Sequence, residues 1–183
     1  VETAARLKDP NQQAKLMTII QEDVIRLDRL ISDISDASRL DAELSRTQFE
    51  PIDLGAMLST LADMHNNHKE NSPRVRLERI DGDDQPLIVS GMEGRLAQVF
   101  QNLITNAISF SPQNGNILLT LHQDEASVYI YVDDDGPGIR DGQEQKIFDR
   151  FYTERPQAEK FGKHSGLGLN ISKQIIDAHV GTV

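Results

Sequence analysis

The stretch from Met92 to Phe110 has the strongest helical pattern in the chain, yet it contains two asparagines. Its apolar residues recur three and four positions apart, which predicts a core-facing stripe of Leu96, Val99, Phe100, Leu103, Ala107 and Phe110. Asn102 and Asn106 are four residues apart and therefore lie one above the other. Because asparagine is a mediocre helix former, the pair indicates a polar task, such as oxygen donation to a hydrated Mg²⁺. The alternative is two amides that face solvent or are satisfied in the core.

The other segments alternate between helical and extended patterns. Asp53 can cap a helix predicted over Leu54–Asn67, and a last helix is predicted over Gly166–His179. Strands are predicted at Val75–Ile80 and Leu87–Ser90, on either side of a turn, and as a hairpin at Asn116–His122 and Ser127–Asp133. This order predicts an α+β fold, a two-layer α/β sandwich with one mixed sheet.

The N-terminal quarter has a period of its own. Its apolar residues alternate spacings of three and four, as in a coiled-coil-like helix pair; they are Met17, Ile20, Val24, Leu27, Ile31 and Ile34. A helix is predicted from about Asn11 to Arg46, with residues 1–7 as the tail of an earlier helix. Pro51 and the loss of the heptad mark a boundary. We predict a truncated helical hairpin over 1–46 and a second domain over 47–183.

Charge and composition exclude several classes of protein. The chain has 19 basic and 29 acidic residues and a net charge of −10, which argues against a nucleic-acid partner. It has no cysteine, so disulfides and thiolate metal sites are excluded. No apolar run is long enough to span a membrane, and we expect no membrane contact. The sequence starts without Met and within a helical pattern, so we interpret it as an excised fragment, with the final strands of its sheet missing as well.

A first glycine-rich motif follows the second strand of the predicted hairpin. It reads Asp134-x-Gly136-x-Gly138-Ile139. A carboxylate at a strand end can accept a hydrogen bond from an exocyclic amine such as that of adenine, and glycines let backbone approach a flat ring. The alternatives are an acidic turn or a Ca²⁺ loop, although the ligand spacing of an EF-hand is missing.

A second glycine-rich motif, Gly162–Leu169, runs into the last helix. Free N–H groups at a helix N-terminus, with glycines beside them, can hold phosphate. The spacing is not that of a Walker loop, and an ordinary glycine-rich loop is the alternative. The charged stretch Arg140–His164 between the two motifs, with helical patches around Glu144–Tyr152, is interpreted as a mobile cover over a nucleotide. The alternative is a solvated connection.

The order and spacing of these motifs resemble those of the sensor histidine kinases, within the wider group that shares the Bergerat ATP-binding fold. Asn102 and Asn106 match the asparagine box, and the first glycine motif matches the first glycine box. Ile147–Tyr152 matches the phenylalanine box and Ser165–Leu169 the second glycine box. The resemblance covers nearly the whole chain. The runs Arg26–Leu44 and Phe151–Pro156 are similar to ChvG-type kinases of alphaproteobacteria.

The resemblance implies a role for each matching residue. Asn106 would ligate Mg²⁺, Asn102 would help to hold the metal and phosphates, and Asp134 would receive the adenine amine. Arg150 and Arg155 would be the catalytic cations beside Asn102. The resemblance places further contacts with ATP at Phe110, Gly136, Gly138, Ile139, Ser165, Gly166, Leu167, Gly168 and Leu169.

The residue at position 102 selects among relatives. Hydrolases of this fold carry a glutamate there as base for water, whereas an asparagine cannot take a proton. The resemblance therefore implies transfer of the γ-phosphate of ATP to a histidine, and thence to an aspartate of a response regulator. Three positions depart from the family pattern: Ser109, Thr153 and His164. They leave open which cation meets the γ-phosphate.

The phosphoaccepting histidine of the family is not found. The histidines of this chain lack its setting, and they are His65, His68, His122, His164 and His179. The fragment is therefore expected to bind ATP but not to phosphorylate itself. A non-catalytic nucleotide-sensing module, or a coiled-coil protein with a folded cap, are the alternatives. The resemblance further implies a homodimer through the hairpin, a receiver domain docking around Leu27–Ser38, and a cytoplasmic position within an inner-membrane sensor.

Overall fold

The computed structural model describes residues 12–21, 24, 27, 31, 35, 48–67, 72–80, 85–152 and 166–183. Predictions for 1–11, for 22–47 apart from 24, 27, 31 and 35, for the turn at 81–84, and for 153–165, which include Arg155 and Ser165, lie outside these residues. The N-terminal helix is described at 12–21 and at 24, 27, 31 and 35. In this described part, no helix combines the length and hydropathy that crossing a membrane requires.

Three further helices and five strands follow. The helices are α1 (Leu54–Asn66), α2 (Glu93–Phe110) and α3 (Gly168–Ala178), with a short 3₁₀ helix at Lys146–Phe148. The strands are β1 (Glu50–Asp53), β2 (Arg74–Arg79), β3 (Ile88–Gly91), β4 (Asn116–Gln123) and β5 (Val128–Asp134). The helices predicted over 54–67, 92–110 and 166–179 and the β4–β5 hairpin are confirmed. The helical patches expected around Glu144–Tyr152 reduce to the one 3₁₀ turn, and the C-terminal residues 181–183 are not extended into a strand.

The strands form two sheets, so the prediction of one mixed sheet is wrong. β2, β4 and β5 form a mixed sheet in which β2 runs parallel and β5 antiparallel to β4. β1 and β3 pair antiparallel as a separate ribbon, with Pro51 opposite Ser90. β1 was not predicted, because Pro51 was interpreted as a boundary. A proline lacks the N–H of an inner ladder but is tolerated at an edge, where this two-stranded ribbon keeps it.

Local hydrogen bonds fix where the elements begin. The Asp53 carboxylate accepts from the backbone N–H groups of Gly55 and Ala56, at 2.9 and 3.2 Å, as expected of an N-cap. At the other end of α1, the Asn66 side chain exchanges two hydrogen bonds with the backbone of Val75, at 2.8 and 3.0 Å. These bonds hold α1 against β2.

The helices and the mixed sheet enclose one apolar core. The inner face of β4 contributes Ile117, Leu119 and Leu121 to this core. α2 contributes Leu96, Val99, Phe100, Ile104 and Ala107. The predicted stripe is thus correct at four positions, whereas Ile104 replaces Leu103 as the fully buried residue and Phe110 is exposed. α3 packs against α2 through Ile171 and Ile175, which places its N-terminal end beside the asparagines.

His179 joins three segments at the far end of α3. Its Nε2 accepts a hydrogen bond from the backbone N–H of Met92 at 3.0 Å, and its Nδ1 lies 2.7 Å from the carbonyl oxygen of Ile175. This pattern requires the neutral ring with the proton on Nδ1. The ring also stacks on Phe49 with centroids 4.8 Å apart. His179 therefore holds together the end of α3, the start of α2 and the segment before β1.

The turn between β4 and β5 is organised by one carboxylate. Asp124 accepts hydrogen bonds from the backbone N–H groups of Ala126 and Ser127, at 2.8 and 2.7 Å, and from the hydroxyl of Tyr129, at 2.9 Å. The bond from Ala126, followed by those from Tyr129 and Ser127, lowers the pKa of Asp124 below its ordinary value. The same bond to Asp124 raises the pKa of Tyr129.

Both shifts predict how the turn responds to pH. The lowered pKa of Asp124 stabilises the fold above the unfolded-state pKa, and that contribution is lost as pH falls through the folded-state pKa. The raised pKa of Tyr129 stabilises the fold below the unfolded-state pKa, and that contribution is lost as pH rises through the folded-state pKa.

We expect Asp124→Asn to make Tyr129 ionise at lower pH, which a tyrosinate absorbance titration would detect. Tyr129→Phe should remove the ionisation that occurs at the higher pH, whereas Tyr131→Phe should retain it. An unchanged titration in Asp124→Asn would contradict this assignment.

Candidate ATP-binding site

The two asparagines of α2 have different surroundings. Asn102 is half-buried, and its Nδ2 donates to the carbonyl oxygen of Gly168 at 3.2 Å and to the hydroxyl of Ser172 at 3.4 Å. Asn106 lies one turn further along. Its backbone carbonyl accepts from the Ser109 hydroxyl at 2.8 Å, and its side-chain amide makes no hydrogen bond within the described residues. Asn102 is therefore oriented by α3, whereas the Asn106 amide is available to a ligand.

The end of α2 is fixed by proline and pressed against the first glycine motif. Ser111 is extended (φ −75°, ψ 149°), as the residue before a proline tends to be, and the helix stops there. A Cβ on Gly136 would lie 3.2 Å from the Cβ and the carbonyl oxygen of Phe110 and would overlap the carboxylate of Asp134. Only a glycine fits this contact, so the motif and the helix end form one surface.

Asp134 is the last residue of β5 and pairs with Ile117. Its Oδ1 accepts from the backbone N–H of Gly136 at 2.7 Å, which closes a tight turn. The next residue, Asp135, turns back to β4 and accepts from the backbone N–H of Asn116 at 2.8 Å. The exposed Asp134 carboxylate is thus held at the sheet end and can accept a further hydrogen bond from an amine.

The two glycine motifs differ in what surrounds their left-handed positions. Gly138 has φ +72° and open space around it, and Ile139 beside it is half exposed. Gly166 has φ +69°, and a Cβ there would lie 2.8–2.9 Å from backbone atoms of Phe151 and Tyr152. The N–H of Phe151 also donates to the carbonyl oxygen of Gly166 at 2.9 Å. The second motif is therefore tightly packed, and the first is open.

The start of α3 can receive an anion. Leu167 is buried at the N-cap position, and its apolar side chain cannot accept from the first N–H groups of the helix. Gly168 opens the helix, and Leu169 is half-buried. Such N–H groups, at the positive end of the helix dipole, are suited to phosphate oxygens.

The phenylalanine-box segment docks on α3 through residues that sequence reasoning missed. Asn170 donates from Nδ2 to the carbonyl oxygen of Phe148 at 2.8 Å, and Gln174 donates to the Oδ1 of Asn170 at 2.9 Å. Lys173 lies with its Nζ 6.0 Å from the Phe148 ring centroid. Arg150 is exposed in the turn that follows. The polar side chains one to five residues after the second glycine box were the available signal.

The donor chemistry fits a metal that is carried by phosphates. In the part of the chain that the structure covers, no group of three or more histidine, aspartate or glutamate side chains could hold a metal ion. Mg²⁺ accepts amide oxygens and commonly keeps phosphates and water as its other ligands. The side chains of Asn102 and Asn106 carry amide oxygens near the N-terminal end of α3. A separate cleft of about 450 Å³ lies at the first turn of α2, around Gly94 and Arg95, away from these asparagines.

The comparison with known families agrees with this geometry. The family model for the histidine kinase-, DNA gyrase B- and HSP90-like ATPases matches residues 91–183, which include both asparagines and both glycine motifs. The chain therefore belongs to this family of ATP-binding domains, and its relatives are sensor histidine kinases.

Individual relatives and solved structures narrow the family to the sensor histidine kinases. The chain is 47% identical to the sensor protein ChvG of Rhizobium meliloti (strain 1021) over 188 residues, covering the whole chain and 33% of ChvG. It thus spans about a third of that relative. Histidine kinase ThkA, solved in complex with the response regulator protein TrrA, matches with a TM-score of 0.68 at 27% identity, over 96% of this chain and 47% of ThkA. Full-length ShkA in complex with AMPPNP matches with a TM-score of 0.66 at 26% identity, over 91% and 34%. The predicted resemblance to ChvG-type sensor kinases is confirmed.

Proposed function

We propose that this chain binds Mg²⁺–ATP and transfers the γ-phosphate to a histidine, from which it passes to an aspartate of a response regulator. The observation that carries the proposal is the position of Asn102. Its amide faces the phosphate-binding end of α3, where a hydrolase of this fold would need a carboxylate to activate water. An amide cannot act as that base, so the site favours transfer to a side chain over hydrolysis.

The site residues have the following proposed roles. The amide oxygen of Asn106 ligates Mg²⁺, and that of Asn102 helps to hold the metal and phosphates. Bound Mg²⁺ would supply positive charge at the phosphates. The N-terminal N–H groups of α3 bind phosphate oxygens, and Gly166 and Gly168 shape the pocket around them. This arrangement positions the γ-phosphate, which is most of what a phosphoryl-transfer site must do.

The adenine end of the site lies at the other glycine motif. The Asp134 carboxylate accepts the exocyclic amine, since it is fixed at the end of β5 and exposed. Gly138, which has open space around it, leaves room for the ring, and Gly136 lets the motif pack on the end of α2. Phe110, at the end of α2, and Ile139, in the first glycine motif, are exposed apolar side chains. They can cover an adenine face. Ligand binding would therefore cover apolar surface that is open in this structure.

The transferring phosphate also needs cations. Arg150 lies in the exposed turn after the 3₁₀ helix, which Asn170 holds on α3. We assign it, with Arg155, to neutralising charge that develops on the phosphoryl oxygens. Ser165, Leu167 and Leu169 complete the second glycine motif.

The N-terminal helix supports the proposed assembly. Its predicted seam is exposed in the single chain: Val24, Leu27 and Ile31 are 57%, 56% and 67% exposed. An apolar heptad seam of this kind pairs with another helix. We assign residues 1–46 to a dimerisation and phosphotransfer hairpin and 47–183 to the catalytic domain. ThkA was solved with a response regulator, which supports a receiver domain as the second partner. From the likeness to the sensor protein ChvG, we assign the chain to the cytoplasmic portion of an inner-membrane sensor.

The test is transfer to a separately supplied acceptor. The chain would be mixed with radiolabelled Mg²⁺–ATP and a helical hairpin that carries a histidine followed by an acidic residue. We expect acid-labile, base-stable label on the hairpin, because phosphohistidine has that stability, and little free phosphate without it. Free phosphate at the same rate with and without the hairpin would identify a hydrolase. Nucleotide binding without labelling would identify a sensing module, and no binding would overturn the site itself.

A further inference from the structure

Ser172 is a polar side chain in the core. It lies on α3 between Ile171 and Ile175 and is only 1% exposed, whereas the other core residues that the structure describes are apolar. A buried hydroxyl without a hydrogen-bond partner costs about 1–3 kcal/mol of stability. The partner of Ser172 therefore indicates what this hydroxyl does. That partner is the Nδ2 of Asn102, at 3.4 Å.

The orientation of an amide is set by what its two ends meet. The carbonyl oxygen of Gly168 can only accept, so the end of Asn102 that faces it, at 3.2 Å, must be the NH₂. The hydroxyl of Ser172 can accept or donate, so it adds a second hydrogen bond that holds the amide in place without selecting which end faces α3. With the NH₂ turned to α3, the Oδ1 of Asn102 is left for the ligand side. The reversed amide would present hydrogens there, which cannot ligate a cation.

We propose that Ser172 is a positioning residue that holds the amide of Asn102 in the orientation set by the Gly168 carbonyl, with its oxygen toward Mg²⁺ and the phosphates. The carbonyl oxygen of Gly168 supports the same orientation. A Cβ built on Gly168 would lie 3.6–3.8 Å from side-chain atoms of Asn102, an ordinary contact distance. The hydroxyl thus acts through Asn102 and touches neither nucleotide nor metal. This inference rests on the proposed Mg²⁺–nucleotide site and adds the residue that orients its first asparagine.

The experiment is Ser172→Ala, with ADP affinity measured by calorimetry in excess Mg²⁺ and again in excess chelator. Loss of one of its two hydrogen bonds leaves the amide less firmly held, so we expect affinity in Mg²⁺ to fall about three- to tenfold and affinity in chelator to stay unchanged. Ser111→Ala is the matched control. Its Oγ is also buried but has no hydrogen-bond partner in the described part of the chain, and both affinities should be retained.

A double-mutant cycle separates positioning from packing. In an Asn102→Ala background, Ser172→Ala should have no further effect on Mg²⁺-dependent affinity, because the amide to be oriented is gone. Equal losses with and without Mg²⁺, a full effect in the Asn102→Ala background, or no loss at all would each overturn the inference. Thermal unfolding of each variant checks that it is folded. A wild-type chain that does not bind Mg²⁺–ADP would instead overturn the proposed function.

Discussion

Replacing Asn106 with alanine is expected to lower the Mg²⁺-dependent affinity for ADP by at least about 10- to 100-fold, the range typical of lost outer-shell metal partners. The loss of affinity in Asn106→Ala should exceed that range, because the amide oxygen of Asn106 is proposed as a direct ligand. The side chain makes no hydrogen bond within the described residues, so its loss should leave the fold intact. Calorimetric titration of ADP in excess Mg²⁺ measures the effect.

The neighbouring position on the same helix provides a control. Thr105 is exposed, and Thr105→Ala changes a side chain of similar size on another face of α2. It should keep the affinity of the wild type. If Asn106→Ala binds ADP as tightly as Thr105→Ala does, Asn106 is not the metal ligand, and the site must be redrawn around other oxygens.

The second large effect is expected on stability, from Gly166→Ala. The left-handed backbone at φ +69° costs an alanine about 1–2 kcal/mol. The new Cβ would also lie 2.8–2.9 Å from the backbone of Phe151 and Tyr152, which adds overpacking of about 1–3 kcal/mol. We expect the free energy of unfolding to fall by about 2–5 kcal/mol, measured by chemical denaturation. ADP affinity should fall as well, because the start of α3 must shift.

Gly142 separates strain from crowding. Its φ is +79°, but nothing lies within 4 Å of a Cβ built there. Gly142→Ala should therefore cost only the strain of about 1–2 kcal/mol and leave nucleotide binding unchanged. Equal losses from the two variants would show that the contact between Gly166 and Phe151 relaxes freely.

Local patterns carried much of the prediction from sequence. The spacing of Asn102 and Asn106, the cap at Asp53 and the alternation in β4 and β5 each depend on residues close together in the chain. Short-range geometry decides them, so one sequence suffices. The order of the asparagine and glycine motifs then predicted the family, which the comparison confirms.

Contacts between distant segments were beyond the sequence. The pairing of β1 with β3, rather than with the mixed sheet, depends on how Leu54 donates its N–H to the carbonyl of Leu87. The bond from Asn102 to Ser172 joins two helices that have separate periodic patterns. His179 was considered only as a phosphoacceptor, yet its ring links Met92 and Phe49. Such partners follow from the packed fold, and no spacing rule names them.

The parallel pairing of β2 with β4 also affects the order of folding. β4 and β5 are joined by a short turn, so this hairpin can close within microseconds. β2 can reach β4 only after β3 and all of α2 have been placed between them, since parallel strands need a crossover. Loops of that length close later and slow the overall folding rate. The proposed nucleotide site uses the ends of α2, β5 and α3, so it also requires α2 to pack on this hairpin and α3 to pack on α2.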